Sequence, residues 1–202
     1  MDYTHDIFIS YRRDPEVVLW INEHLVPLLR THVGHKLANP PDIYTDQRLE
    51  SGATWPVELG TELAQSKVLI SLWSGNYLHS QWCTLELSHM VAREKEEQRR
   101  TPEHPFGIVL FIIVNDGENI PHELQAIQKV EIQNFFFVRM LRASLTAEKL
   151  EETLKKSAPG IALAIQNAPQ FKANWPEQTA KSFFDKFHQQ DSPSQSTVPQ
   201  FT

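Results

Sequence analysis

Ile108-Val109-Leu110-Phe111-Ile112-Ile113-Val114 is apolar at all seven positions. A strand with one wet face alternates apolar and polar residues, so a run without alternation belongs to a strand covered on both sides. Central strands of parallel sheets have this character, because crossover helices lie on both faces. Pro102 to Pro105 breaks the chain before the run, and Asn115-Asp116-Gly117 is a turn after it. This one segment predicts an α/β protein.

The neighbouring segments extend the pattern in both directions. Asp6 to Tyr11 is a short β-branched and aromatic strand ending at Arg12-Arg13-Asp14-Pro15, with Pro15 suited to a first helical turn. Val18, Leu19, Ile21, Leu25, Val26, Leu28 and Leu29 recur at helical spacing, and Pro27 is expected to kink or shorten that helix. Asp42 to Thr45 is a second strand. A polar loop, Asp46 to Thr54, leads to a helix from Trp55-Pro56 to about Gln65. Lys67 to Trp73 is a third strand, and Gln81 to Glu97 a helix whose charged end, Arg93 to Arg100, reads as solvated. Ile120-Pro121 begins a short helical piece. A fifth strand lies within Val130 to Val138, with Val130–Ile132 and Phe135–Val138 both open. Ala147 to Lys156 and Ile161 to Gln166 are helical, broken at Pro159-Gly160. Strand and helix alternating five times predict a five-stranded sheet with helices on both faces.

Residues 1–168 are expected to form this domain and residues 169–202 a C-terminal extension. Within it, 176–190 forms a candidate amphipathic helix with Phe183, Phe184 and Phe187 on one side. The Ser/Pro/Gln-rich 191–202 is expected to be disordered.

Composition excludes several function classes. A net charge of -6 argues against nucleic acid as a partner. Cys83 is the single cysteine, so no intrachain disulfide forms. No segment approaches the roughly 18 apolar residues of a membrane span, and no leader-like segment precedes Ile7-Phe8-Ile9, so a cytoplasmic location without membrane contact is expected. The seven glycines make neither GxGxxG nor a P-loop, and no GxSxG occurs. His32 and His35 lack companion acids in sequence and read as surface residues, so no metal is expected. A receiver-type phosphoacceptor needs acids at the end of the first strand, where Arg12-Arg13 stands.

Ser80-Gln81-Trp82-Cys83-Thr84-Leu85-Glu86-Leu87 then places an aromatic plate and a carboxylate four residues apart. On a helix the two share a face, one turn apart. The pair follows a strand end, where a sugar or nucleotide with changing charge would be held.

Five motifs occur in order: Asp6-Ile7-Phe8-Ile9-Ser10-Tyr11-Arg12-Arg13, Leu49-Glu50-Ser51-Gly52, Ser66-Lys67, Ser74-Gly75-Asn76-Tyr77, and the Ser80 to Leu87 segment. Together they resemble a Toll/interleukin-1 receptor (TIR) domain over roughly residues 5 to 155, closest to the NAD+-cleaving bacterial type. The resemblance implies a flavodoxin-like five-stranded parallel sheet. In the family, animal receptor and adaptor members mostly assemble scaffolds, whereas bacterial, plant and axon-degeneration members cleave NAD+ with a glutamate in a Trp-x-x-x-Glu segment. Trp82 and Glu86 match that segment, which implies Glu86 as the catalytic residue. By the same resemblance Tyr11, Arg12, Arg13, Trp82, Asp46 and Ser74 are substrate-binding candidates. Asp46 to Ala53 corresponds to the loop that gates the pocket and contacts other subunits.

The chemistry of NAD+ is compatible with a single acid. Nicotinamide leaves a cationic pyridinium as a neutral molecule and needs no proton, unlike the leaving oxygen of an ordinary glycoside. The resulting expectation is an NAD+ glycohydrolase or cyclase that needs no cofactor, since NAD+ is the substrate. It would self-associate through TIR surfaces and send its product to a downstream effector, in bacterial antiphage signalling. The alternative is a non-catalytic scaffold acting by TIR–TIR association.

Overall fold

The computed structural model describes residues 2–46, 57–172, 180–182 and 184–185. Five strands, β1 (His5–Tyr11), β2 (Ile43–Thr45), β3 (Ser66–Trp73), β4 (Val109–Ile113) and β5 (Gln128–Glu131), form one sheet in the order β2-β1-β3-β4-β5. All pairings are parallel, with Ile7 opposite both Ile43 and Val68, Leu69 opposite Val109, and Leu110 opposite Gln128. Every residue of β4 is buried, as its unbroken apolar run requires. Among the described residues five α-helices accompany the sheet: α1 (Pro15–Trp20), α2 (Val26–Gly34), α3 (Val57–Ala64), α4 (Gln81–Glu96) and α5 (Leu145–Gln166). α2 packs against α5, and α4 against β1, β3 and β4, so the flavodoxin-like sheet is covered on both faces. Among the described residues no helix is long and apolar enough to cross a membrane.

Proline shapes two helices differently. Pro27 has no N–H for the Glu23 carbonyl, and its ring crowds that carbonyl. The chain answers with a π-helical turn, Ile21–Leu25, in which the Val26 N–H reaches the Ile21 carbonyl, and α2 restarts with Pro27 in its first turn. Pro159 does not divide α5, contrary to the sequence reading. It sits on the exposed side, where solvent can satisfy the freed carbonyl. Leu154, Ala158, Ile161 and Ala162 keep the opposite side buried and the helix continuous.

The fifth strand is the first of its two alternatives. Val130 is the one buried residue of β5, and Gln133–Phe135 forms a 3-10 turn. Phe136 then turns inward to meet Trp20, with ring centroids 4.7 Å apart.

The charged run Arg93 to Arg100 is a solvated helix end only in part, with Lys95, Glu96 and Gln98 exposed. Arg93 is buried and donates from Nη1 to the Ser66 carbonyl at 2.9 Å. Glu94 is also buried; its Oε1 accepts from the Ile108 and Val109 N–H groups at 2.6 and 2.8 Å. Arg100 closes on the same carboxylate at 2.9 and 3.0 Å. Such a bidentate pair satisfies a buried acid and anchors the start of β4. His32 is likewise buried and meets Glu151 of α5 at 3.1 Å, an acid 119 positions away.

In the C-terminal extension, 180–182 and 184–185 are helical, within the expected helix. The expectations for Phe183, Phe187, 191–202, the loop residues 47–53 and the helix start at Trp55-Pro56 lie outside the described residues.

Candidate functional site

The strand order fixes where a ligand can sit. β1 and β3 are neighbours, but the connection after β1 runs out to β2 and the one after β3 runs the other way to β4, which opens a crevice beyond the carboxyl ends of these strands. A cleft of about 260 Å³ lies there, walled by Tyr11, Arg12, Arg13, Ser74, Asn115 and Asp116, with Asn76 and Phe136 also lining it.

Local sequence places each wall. Asp14 caps α1, its Oδ1 accepting from the Glu16 and Val17 N–H groups at 2.9 and 3.4 Å. The first turn of α1 is thus already occupied by a carboxylate, and an anion in the cleft meets Arg12 instead. Arg12 is exposed and has no ion-pair partner among the described residues. On the far wall Asn115 adopts a left-handed conformation (φ 47°), which asparagine tolerates. Asp116 is pinned by the Gly75 N–H, 3.0 Å from its Oδ1. A Cβ at Gly75 would lie 2.7 Å from Asp116 Oδ2, so glycine is what lets the two loops approach.

Beside the cleft lies a polar cluster built from β1 and α4. Ser80 caps α4, and Trp82 and Glu86 rise from its first two turns. The Arg13 guanidinium lies over Trp82, 3.9 Å from the ring centroid, and its Nη2 pairs with Asp46 Oδ2. The Tyr11 hydroxyl donates to the Asp46 carbonyl. Burial, with Asp46 nearby, pushes the Tyr11 phenol up to about 12.

Glu86 is the electrostatic anomaly. It is 5% exposed. Loss of solvent pushes its carboxyl up from 4.5 to about 8, opposed by the neighbouring Ser10 hydroxyl and by the Arg13 charge, and reinforced by Asp46. Arg13 is committed to Asp46, so Glu86 has no ion pair of its own among the described residues. The same burial raises the Cys83 thiol to about 12, which makes it a poor nucleophile.

The structure therefore divides the candidates of the sequence. Tyr11, Arg12, Arg13 and Ser74 line the cleft, with Ser74 Oγ 2.8 Å from Asn76 Oδ1. Trp82, Glu86 and Asp46 do not line it; they stand behind Arg13, which belongs to both groups. Asp116, Asn115, Ser10 and Tyr77 were not among the candidates. An acid at the end of β4 was the available signal for Asp116. Nothing local marks Ser10, whose role depends on a contact 67 residues away. Among the described residues no group of three or more His, Cys, Asp or Glu could hold a metal ion.

One solved structure that resembles the chain is that of the TIR domains of the activated Roq1 resistosome directly recognizing the pathogen effector XopQ. The likeness covers 77% of this chain and 84% of that one, at 17% identity and a TM-score of 0.36, too loose to carry any further statement. Comparison with protein families matches residues 7–141 to the family described as TIR domain, a span that runs from within β1 through β5 and contains the cleft and the Trp82–Glu86 pair. The chain belongs to the TIR domain family.

Proposed function

We propose that this TIR domain cleaves the nicotinamide–ribose bond of NAD+, with Glu86 as the catalytic carboxylate. The observation that carries the reading is the burial of Glu86 without an ion pair of its own, beside a ligand cleft. A carboxyl raised to about 8 costs folding free energy at neutral pH, and a scaffold has no use for that cost.

The chemistry follows from charge. As the C1′–N1 bond stretches, its electron pair moves to the pyridinium nitrogen and nicotinamide leaves neutral. Positive charge develops on the ribose. An ionised Glu86, in a site of low dielectric, stabilises that charge and needs no partner acid. The incoming cationic ring itself favours the ionised form of Glu86. Water capture of the ribosyl cation gives ADP-ribose; capture by the adenine of the same molecule gives a cyclic isomer. Tyr11 and Trp82 provide aromatic walls, Arg12 and Arg13 meet the diphosphate, and Asp46 and Ser74 complete the polar surround.

A cleft of about 260 Å³ is smaller than the roughly 300–1,000 Å³ of most small-molecule sites, so it encloses part of a dinucleotide. Exposed Leu19, Phe137, Leu141 and Leu145 offer apolar surface for a second TIR domain that would complete the enclosure. In this proposal the product is the signal, read by a downstream effector in the cytoplasm of a defending bacterial cell. Chromatography of NAD+ incubated with the purified protein tests it: nicotinamide together with ADP-ribose or a cyclic isomer is expected, and intact NAD+ at high protein concentration would favour the scaffold.

A further inference from the structure

We propose that Arg13 is a displaceable plug: in the resting protein its guanidinium occupies the Trp82 face, and substrate drives it into the cleft. This rests on the NAD+ reading and adds to it a step that precedes chemistry.

Four features of one side chain carry the inference. The guanidinium lies 3.9 Å from the Trp82 centroid, so a planar cation already covers the face that an aromatic cation would use. Its Nη2 is held by Asp46. Its Nη1 is buried and has no hydrogen-bond partner among the described residues. A guanidinium offers five donors in a fixed fork, and leaving one buried and unused is costly, so the resting position is a compromise. Finally, the Arg13 side chain is 23% exposed and lines the cleft, so an outward position meets solvent and Arg12 rather than the core.

The exchange is balanced in charge. Asp46 and Glu86 face one planar cation in the resting protein and one in the complex, first the guanidinium and then the pyridinium. The released Arg13 joins Arg12 on the diphosphate, where its fork suits paired phosphate oxygens. A ligand with both a planar cation and a diphosphate drives the exchange at both ends, whereas a ligand with one end must displace Arg13 unaided or leave it in place. Arg13 on this account is a positioning residue that selects for the intact dinucleotide.

Two probes that cannot be cleaved separate the ends. N-methylnicotinamide methylated on the ring nitrogen carries the planar cation alone, and ADP-ribose the diphosphate alone. Calorimetric titration of the full chain is expected to show Arg13→Ala binding N-methylnicotinamide about tenfold more tightly than the unmodified protein, and ADP-ribose at least about tenfold more weakly. A residue that merely braces the fold would move both affinities the same way. Arg13→Lys keeps the charge on Asp46 but loses the flat stacking, so it guards against a variant that fails to fold. It should bind N-methylnicotinamide about threefold more tightly and keep ADP-ribose affinity within about threefold. N-methylnicotinamide binding that is unchanged or weaker in whichever variant folds would overturn the plug. Failure of the unmodified protein to release nicotinamide would instead sink the NAD+ reading, and the probe comparison would still stand.

Discussion

The Ser10 hydroxyl lies 2.5 Å from the Tyr77 hydroxyl, in the core directly behind the polar cluster. Tyr77 is fully buried and stacked on Trp73 at 5.0 Å, which stacks in turn on Phe111 of β4 at 4.6 Å. Ser10 also neighbours Glu86 and favours its ionised form. The acid thereby stands against a hydroxyl that an aromatic stack on the central strands holds in place. A carboxylate meant to stabilise a developing charge needs such fixed orientation.

Ser10→Ala is expected to raise the Glu86 carboxyl further, since the hydroxyl it removes favours the charged form. The alkaline-rising limb of kcat/KM should move up by about one pH unit. A limb that stays in place would mean Ser10 does not support the ionised acid.

Glu86 gives an opposite and larger signal in stability. Its folded value of about 8 lies above the unfolded 4.5, so the fold binds the proton more tightly than the unfolded chain. Wild type therefore loses stability relative to Glu86→Gln as pH rises from 4.5 to 8, and the gap levels off above that. By pH 7 the glutamine variant should be more stable by about 3 kcal/mol. Denaturant titrations at pH 4.5, 7 and 8.5 measure the gap, and a gap independent of pH would contradict the buried-acid account.

Glu94→Ala tests the other buried acid. Its carboxylate accepts from the Ile108 and Val109 N–H groups at the start of β4 and from Arg100. Its loss strands all of these donors and should cost about 3 kcal/mol in a urea titration. Activity measured well below the transition should hardly change, because none of these partners lines the cleft.

Exposed Phe137 and Leu141 lead to a prediction about assembly. Specific activity should rise with protein concentration, and Leu141→Glu should flatten that rise by placing a charge in an apolar contact. Activity per molecule that is constant across a wide dilution series, in a monomer, would contradict a shared site.

Much of the fold was legible because it rests on local patterns. The unbroken run at β4 and the motif at the end of β1 needed no tertiary information. The errors share a physical cause. Arg93, Glu94 and His32 look like surface charge until Ser66, Val109 and Glu151 arrive from distant positions. Pro159 looks like a break until its exposed side is known. At the site, the Trp82–Glu86 spacing gave the pair, and the strand-end arginines gave the cleft wall. That Arg13 stands between them is a side-chain placement that no spacing encodes.

The central claim meets its most direct test in nicotinamide release from NAD+, compared between wild type and Glu86→Gln at pH 8. Glutamine keeps the size of the side chain and removes the charge that faces the ribosyl cation. Wild type should release nicotinamide, and the folded variant should do so on the order of 10²-fold more slowly or less. Equal release by the two proteins, or none by wild type, would contradict the assignment of Glu86 as the catalytic carboxylate.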